Sequence, residues 1–181
     1  MLDIRLPIFY CFLIVFALVQ AITVQTRKSL EFDQPEGWIE GIPRGPLRVA
    51  EFTLPKIRGD AEDASVVIFY FGQEGGSIDD NLERWISQIE QPDGRPSQEI
   101  AVSTTFEVKG LPVTVLDVHG TYIAPVRPGS SMRYNKKNFY LKAAVVETNN
   151  GPYFFKLTGP AQTVDHWATS FISLLKSVRF R

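Results

Sequence analysis

The chain has 181 residues, and its 19 Lys and Arg nearly balance its 20 Asp and Glu, a net charge of −1 that gives no general attraction to nucleic acid or to an acidic lipid surface. Less an apolar leader of about two dozen residues, it has length for one ordinary domain rather than two, and its 44% hydrophobic and 12% aromatic content suits a buried core and excludes intrinsic disorder. The one cysteine, Cys11, falls in the leader, so the domain forms no internal disulfide and has neither a thiol nucleophile nor a cysteine-based zinc site.

Leu6 to Val24 is uncharged and almost wholly apolar; as a helix it spans about 28 Å, close to the thickness of a hydrocarbon core. Residues 1–24 therefore read as a secretory signal peptide or as a retained transmembrane helix that anchors the protein in a membrane. Asp3 offsets Arg5 before the segment while Arg27 and Lys28 follow it, so the flanking charges do not choose between the two. Either way the domain is expected outside the cytoplasm, in the periplasm or cell envelope, secreted or anchored by residues 6–24.

Residues 25–46 hold Pro35, Gly37, Gly41, Pro43, Gly45 and Pro46, a density that predicts an irregular segment in which Trp38 and Ile39 pack as a lid. Residues 47–181 then read as a single domain. Leu47 to Leu54 predicts a first firm strand packing through Val49, Phe52 and Leu54, ended by Pro55. Ser65 to Phe71, apolar on both alternating faces, predicts a strand at the sheet centre with cover on each side. Ser77 then caps a helix, with Asp80 three residues on, and Ile78, Leu82, Trp85, Ile86 and Ile89 form its apolar stripe.

Pro92, Gly94 and Pro96 close that helix, and Ala101–Val108 with Leu111–Ile123 predict a hairpin turned at Lys109-Gly110. Ala124–Asn138 is a long basic loop of the kind that often carries function. Phe139–Thr148 and Tyr153–Thr158 predict a second hairpin around Asn149-Asn150-Gly151-Pro152. Gly159 and Pro160 open a final helix whose apolar face is Val164, Trp167, Phe171, Leu174, Leu175 and Val178. Paired strands and two amphipathic helices place the chain in the α+β class, an antiparallel sheet of about six or seven strands covered by two helices.

The runs Phe69-Tyr70-Phe71-Gly72, Gly75-Gly76-Ser77, Asn81-Leu82-Glu83-Arg84-Trp85, Gln91-Pro92-Asp93-Gly94, Gly120-Thr121-Tyr122 and Gly151 through Pro160 resemble a family of uncharacterised bacterial extracytoplasmic proteins, many of them lipoproteins. The resemblance covers most of the chain after Ala50 and implies a PsbP-like fold, an α/β/α sandwich shared with a photosystem accessory protein and a Ran-binding nuclear-import factor. It carries over no catalytic residue. The leader departs from the lipoprotein pattern, since Ile8-Phe9-Tyr10 rather than small residues precedes Cys11.

Three sets of residues carry chemistry. Asp117 and His119 stand two apart on a predicted strand and share a face, as a metal pair or a proton relay requires; without a third ligand nearby, a polar pair at the solvated or edge side of the sheet is the better account of them. The glycines from Gly72 to Ser77 offer backbone N–H groups at a strand-to-helix junction, but the Lys-Ser/Thr ending of a phosphate loop is missing and turn geometry with a helix cap explains them. The basic loop places Arg127, Arg133, Tyr134, Lys136 and Lys137 together as candidate partner-binding residues for an acidic protein or a lipid headgroup, against the plainer account of a solvated connection. No serine occupies a nucleophile-elbow pattern. The sequence thus points to a non-enzymatic binding or assembly accessory domain without catalytic residue, cofactor or nucleic-acid partner, its partner an unknown protein. A module for a small apolar or lipid-like ligand is the alternative, and a hydrolase or metal enzyme built on Asp117 and His119 the third reading.

Overall fold

A computed structural model describes residues 29–181, and the leader expected at residues 1–24 lies outside the described residues. The strands are β1 (Leu30–Glu31), β2 (Ile39–Gly41), β3 (Arg48–Leu54), β4 (Ala64–Tyr70), β5 (Ile89–Glu90), β6 (Val102–Val108), β7 (Leu111–Tyr122), β8 (Lys136–Val146), β9 (Tyr153–Pro160) and β10 (Arg179–Phe180); the helices are α1 (Ile78–Ile86) and α2 (Ala161–Ser177). One eight-stranded sheet runs β2-β3-β4-β9-β8-β7-β5, with β6 also paired to β7, and β1 pairs separately with β10. Every pairing is antiparallel. The molecule is α+β, two helices packed on a large antiparallel sheet.

The helices differ in reach. α2 has 17 residues, about 25 Å at 1.5 Å per residue. Its Val164, Phe171, Leu174 and Leu175 bury wholly against Val66 and Ile68 of β4, Phe155 and Leu157 of β9, and Val113 and Val115 of β7. α1 has 9 residues, about 14 Å. Trp85 and Ile86 pack on Leu116, Val118, Leu141, Ala143, Val145 and Phe154, the opposite face of the same strands. Side chains alternate across a strand, so β8 and β9 supply both cores.

Local chemistry fixes these elements. The Ser77 hydroxyl accepts the Asp80 N–H at 3.0 Å and caps α1 as the sequence requires. Pro160 has no side chain able to cap α2; Asp60, from the β3–β4 loop, accepts the Thr163 N–H at 2.8 Å instead. Lys109 and Gly110 both take positive φ, 52° and 81°, the two-residue turn whose twist matches a hairpin.

Several expectations shift. Trp38 is buried and its indole N–H donates to Ser170 Oγ at 3.0 Å, which pins the segment to α2 at that residue, while Ile39 stays exposed. Val49 is exposed because a bulge between Arg48 and Ala50 interrupts the alternation and hands its packing role to Ala50. The sheet centre is β9, with β4 beside it. α1 ends at Ile86, and Ile89 reaches the same core from a short edge strand. The long loop is shorter than its sequence reads, since β8 begins at Lys136 and a bridge joins Pro125 to Arg133.

Candidate functional site

Because α1 is short, it covers its face of the sheet over β7, β8 and the Phe154 end of β9, and a cleft opens over β3, β4 and the Lys156–Thr158 part of β9. Thr53 of β3, Ser65 and Val67 of β4, and Lys156 and Thr158 of β9 floor the opening; Tyr122 and the loop residues Val126, Arg127 and Tyr134 wall it, enclosing about 530 Å³. The both-faces apolar pattern of β4 is thus only half used for core: Ala64, Val66 and Ile68 are buried toward α2, whereas Ser65, Val67 and Phe69 are partly exposed in the cleft.

Lys156 lies at the floor. Its ammonium donates to Gln88 Oε1 and, at 3.4 Å, to the Tyr122 hydroxyl, both neutral groups. Its neighbours across the sheet are Val67 and Ala143, so no acid faces it in register. Burial, with Arg84 and Arg48 adding like charge, pushes its titration down from 10.5 to about 7. The Tyr122 phenol is pushed up to about 12 by burial and by neighbouring Tyr134, which keeps it a neutral hydrogen-bonding group. Tyr134, Tyr122 and Phe139 stack in sequence at 5.7 and 5.8 Å between centroids, and the Lys156 ammonium sits 5.4 Å from the Tyr122 ring centre.

Glu51 is the acid among the charged residues lining this cleft. Burial alone raises its carboxyl, but hydrogen bonds from the Arg44 N–H, at 2.8 Å, and from the Arg48 guanidinium outweigh that and hold it below its usual value. Arg44 also pairs with it at 3.3 Å through Nε. Its charge is therefore spent on two arginines.

A second, wider cleft of about 1150 Å³ opens between the β3–β4 loop, the ends of β7 and β8, and the start of α2. Asp60, Glu90, Asp165, His119 and Lys137 line it. Burial, then the nearby Asp117 and Asp165 carboxylates, push the Tyr140 phenol on its wall up to about 12.

The residues singled out from sequence are dispersed. Asp117 forms an ion pair with Lys142, its register partner on β8, and is not joined to His119; His119 stacks on Tyr140 at 5.9 Å in the wider cleft. Among the described residues no group of three His, Cys, Asp or Glu side chains converges as metal ligands. Arg127 and Tyr134 line the smaller cleft, and Lys137 lines the wider one. Arg133 braces its own loop by donating to the Ile123 carbonyl at 3.1 Å, and Lys136 pairs with Glu62 at 2.5 Å over the Tyr134 and Phe139 rings. Lys136 and Lys137 part company because neighbouring residues of a strand point to opposite faces. In the Gly72–Ser77 junction, Asn81 Nδ2 donates to the Gly75 and Ser77 carbonyls and the Ser77 hydroxyl caps α1.

Lys156 is the residue that sequence reasoning passed over. Its signal was a lone cation inside Tyr-Phe-Phe-Lys-Leu, a run otherwise buried, where a charged side chain needs either a partner or a purpose.

No family model matches the chain, and no curated protein matches it in sequence. Among solved structures it is similar to a Pseudomonas aeruginosa protein of unknown function, PA94, at 14% identity over 76% of this chain and 86% of that one, with a TM-score of 0.49. It is also similar to the cyanobacterial PsbP protein CyanoP of Synechocystis sp. PCC 6803, at 15% identity over 85% of this chain and 92% of that one, with a TM-score of 0.47. Both likenesses concern the fold. No helix of the described residues is long and apolar enough to cross a membrane.

Proposed function

We propose that the chain is a non-enzymatic, extracytoplasmic binding domain of the PsbP-like kind, akin to the bacterial envelope family its sequence resembles, and that its ligand occupies the cleft above Lys156. The observation that carries this reading is the open part of the sheet on the α1 side, where polar strand residues and the 123–135 loop enclose a volume of small-molecule size. The helix–sheet interfaces are filled by wholly buried side chains such as Phe154, Phe155, Phe171 and Leu174, which favours this cleft over an apolar site between helix and sheet. An accessory role at the membrane follows if residues 6–24 are retained as an anchor.

Native mass spectrometry of the full chain, purified from its own cells under non-denaturing conditions, tests the proposal. A small-molecule adduct is expected on the wild type and absent from Thr53→Trp, which fills the cleft from an exposed position on β3. An adduct indifferent to that substitution, or none on either protein, would overturn it. So would steady turnover of a hydrolase substrate that disappears with His119→Ala.

A further inference from the structure

The charged residues lining the smaller cleft are four cations, Arg44, Arg48, Arg127 and Lys156, and one carboxylate, Glu51. Glu51 is already shared by Arg44 and Arg48, which leaves Arg127 and Lys156 without an acid in the cleft. An ammonium has three N–H donors; Gln88 and Tyr122 take two of those on Lys156, and one is left for a ligand. Holding a cation away from water beside other cations is costly, and an anion bound there recovers that cost through charge-assisted hydrogen bonds. Hydroxyls of Ser65, Thr53 and Thr158 stand on the same floor as further donors.

Resting on the cleft as the ligand site, we infer that it binds a phosphate-type oxyanion, held by Lys156 from the floor and Arg127 from the loop, with the Tyr122 and Tyr134 rings beside it to receive an attached organic group. The groups that face Lys156 are Arg84 and Gln88 at the end of α1, Arg48 with its partner Glu51 on β3, Tyr122 on β7, and Arg127 and Tyr134 in the loop. The surplus of positive charge matches an oxyanion carrying roughly one to two negative charges, as a phosphodiester or a phosphomonoester does near neutrality. Binding needs Lys156 protonated, and because it titrates near 7 in the empty cleft, affinity falls as pH rises above that value.

Calorimetric titration of the full chain with inorganic phosphate at about pH 6, where a lysine so depressed is mainly charged, against acetate at equal ionic strength, reads this directly. Saturable phosphate binding is expected, weakened about tenfold or more by Lys156→Met and a few-fold by Arg127→Gln, as loss of one charge-assisted hydrogen bond predicts. Arg127 is exposed, so its variant keeps the test valid if Lys156→Met misfolds. A parallel arm sediments the protein with vesicles of phosphatidylglycerol or of phosphatidylcholine. Phosphatidylglycerol binding lost in Lys156→Met identifies a lipid headgroup as the source, whereas phosphate binding without vesicle binding identifies a soluble phosphate compound; either supports the inference. Neither binding, or phosphate binding equal in wild type and both variants, overturns it. If a cleft adduct persists in native mass spectrometry while phosphate fails to displace it, the cleft is a ligand site for another chemistry and only this inference falls.

Discussion

Lys142 and Lys156 stand on adjacent strands of one sheet, facing opposite sides, and meet opposite fates. Lys142 has Asp117 directly across in register on β7 and forms an ion pair with it. Lys156 has Ala143 and Val67 across from it and only neutral hydrogen-bond partners. Residue type and sheet are shared, so the cross-strand neighbour decides which lysine is a closed structural pair and which stays available. The same contrast runs through the clefts: carboxylates outnumber lysine in the wider one, and cations dominate the smaller.

Removing the acid from the closed pair is the strongest way to break the comparison. Asp117→Ala leaves a partly buried ammonium unpaired and is expected to cost about 2–3 kcal/mol in urea unfolding, most of it recovered when Lys142→Met is added. If Asp117→Ala were neutral, the pair would be ornamental and the contrast would vanish.

Lys156→Met should act with the opposite sign. The folded titration near 7 lies below the ordinary 10.5, so between those values the unfolded chain binds more protons and wild-type stability rises with pH. Below about 7 the burial cost is fully present. The variant is therefore expected to be more stable than wild type by about 1–2 kcal/mol at acid pH, after discount for partial exposure, with the gain fading toward pH 10.5. Thermal unfolding across that range, wild type against variant, measures it; a gain that grows with pH would reverse the assignment.

The smallest effect sharpens the comparison. Ser77→Ala removes the α1 cap at a cost of about 1 kcal/mol. Since Arg84 lies in the last turn of that helix and Gln88 just beyond it, fraying it should hydrate Lys156 and raise its titration toward 10.5, visible by NMR of its side chain.

Much of the fold was legible because it rests on local rules. Ser77, the Lys109-Gly110 turn and the α2 stripe of Val164, Phe171, Leu174 and Leu175 each declare themselves within a few residues. What escaped was set by distant partners. The bulge at Arg48–Ala50 that exposes Val49 depends on how β3 registers with β4, and the end of α1 depends on Ile89 joining β7. The site was harder still: Asp117 and His119 looked like a pair until Lys142 claimed the first and Tyr140 stacked on the second. Arg127 and Tyr134 were named as candidates and do line a cleft, but Lys156, far from them in sequence, completes it.

The β1–β10 ladder brings Ser29 and Arg181 into reciprocal backbone hydrogen bonds, at 2.6 and 3.2 Å. The ends of the described domain thus nearly close a ring. A peptide of a few residues should join them without strain, and new ends could then be opened at the Lys109-Gly110 turn, away from either cleft. A permuted version of this kind would free the binding surface from whatever precedes Ser29, so that the domain can be handled as an independent part.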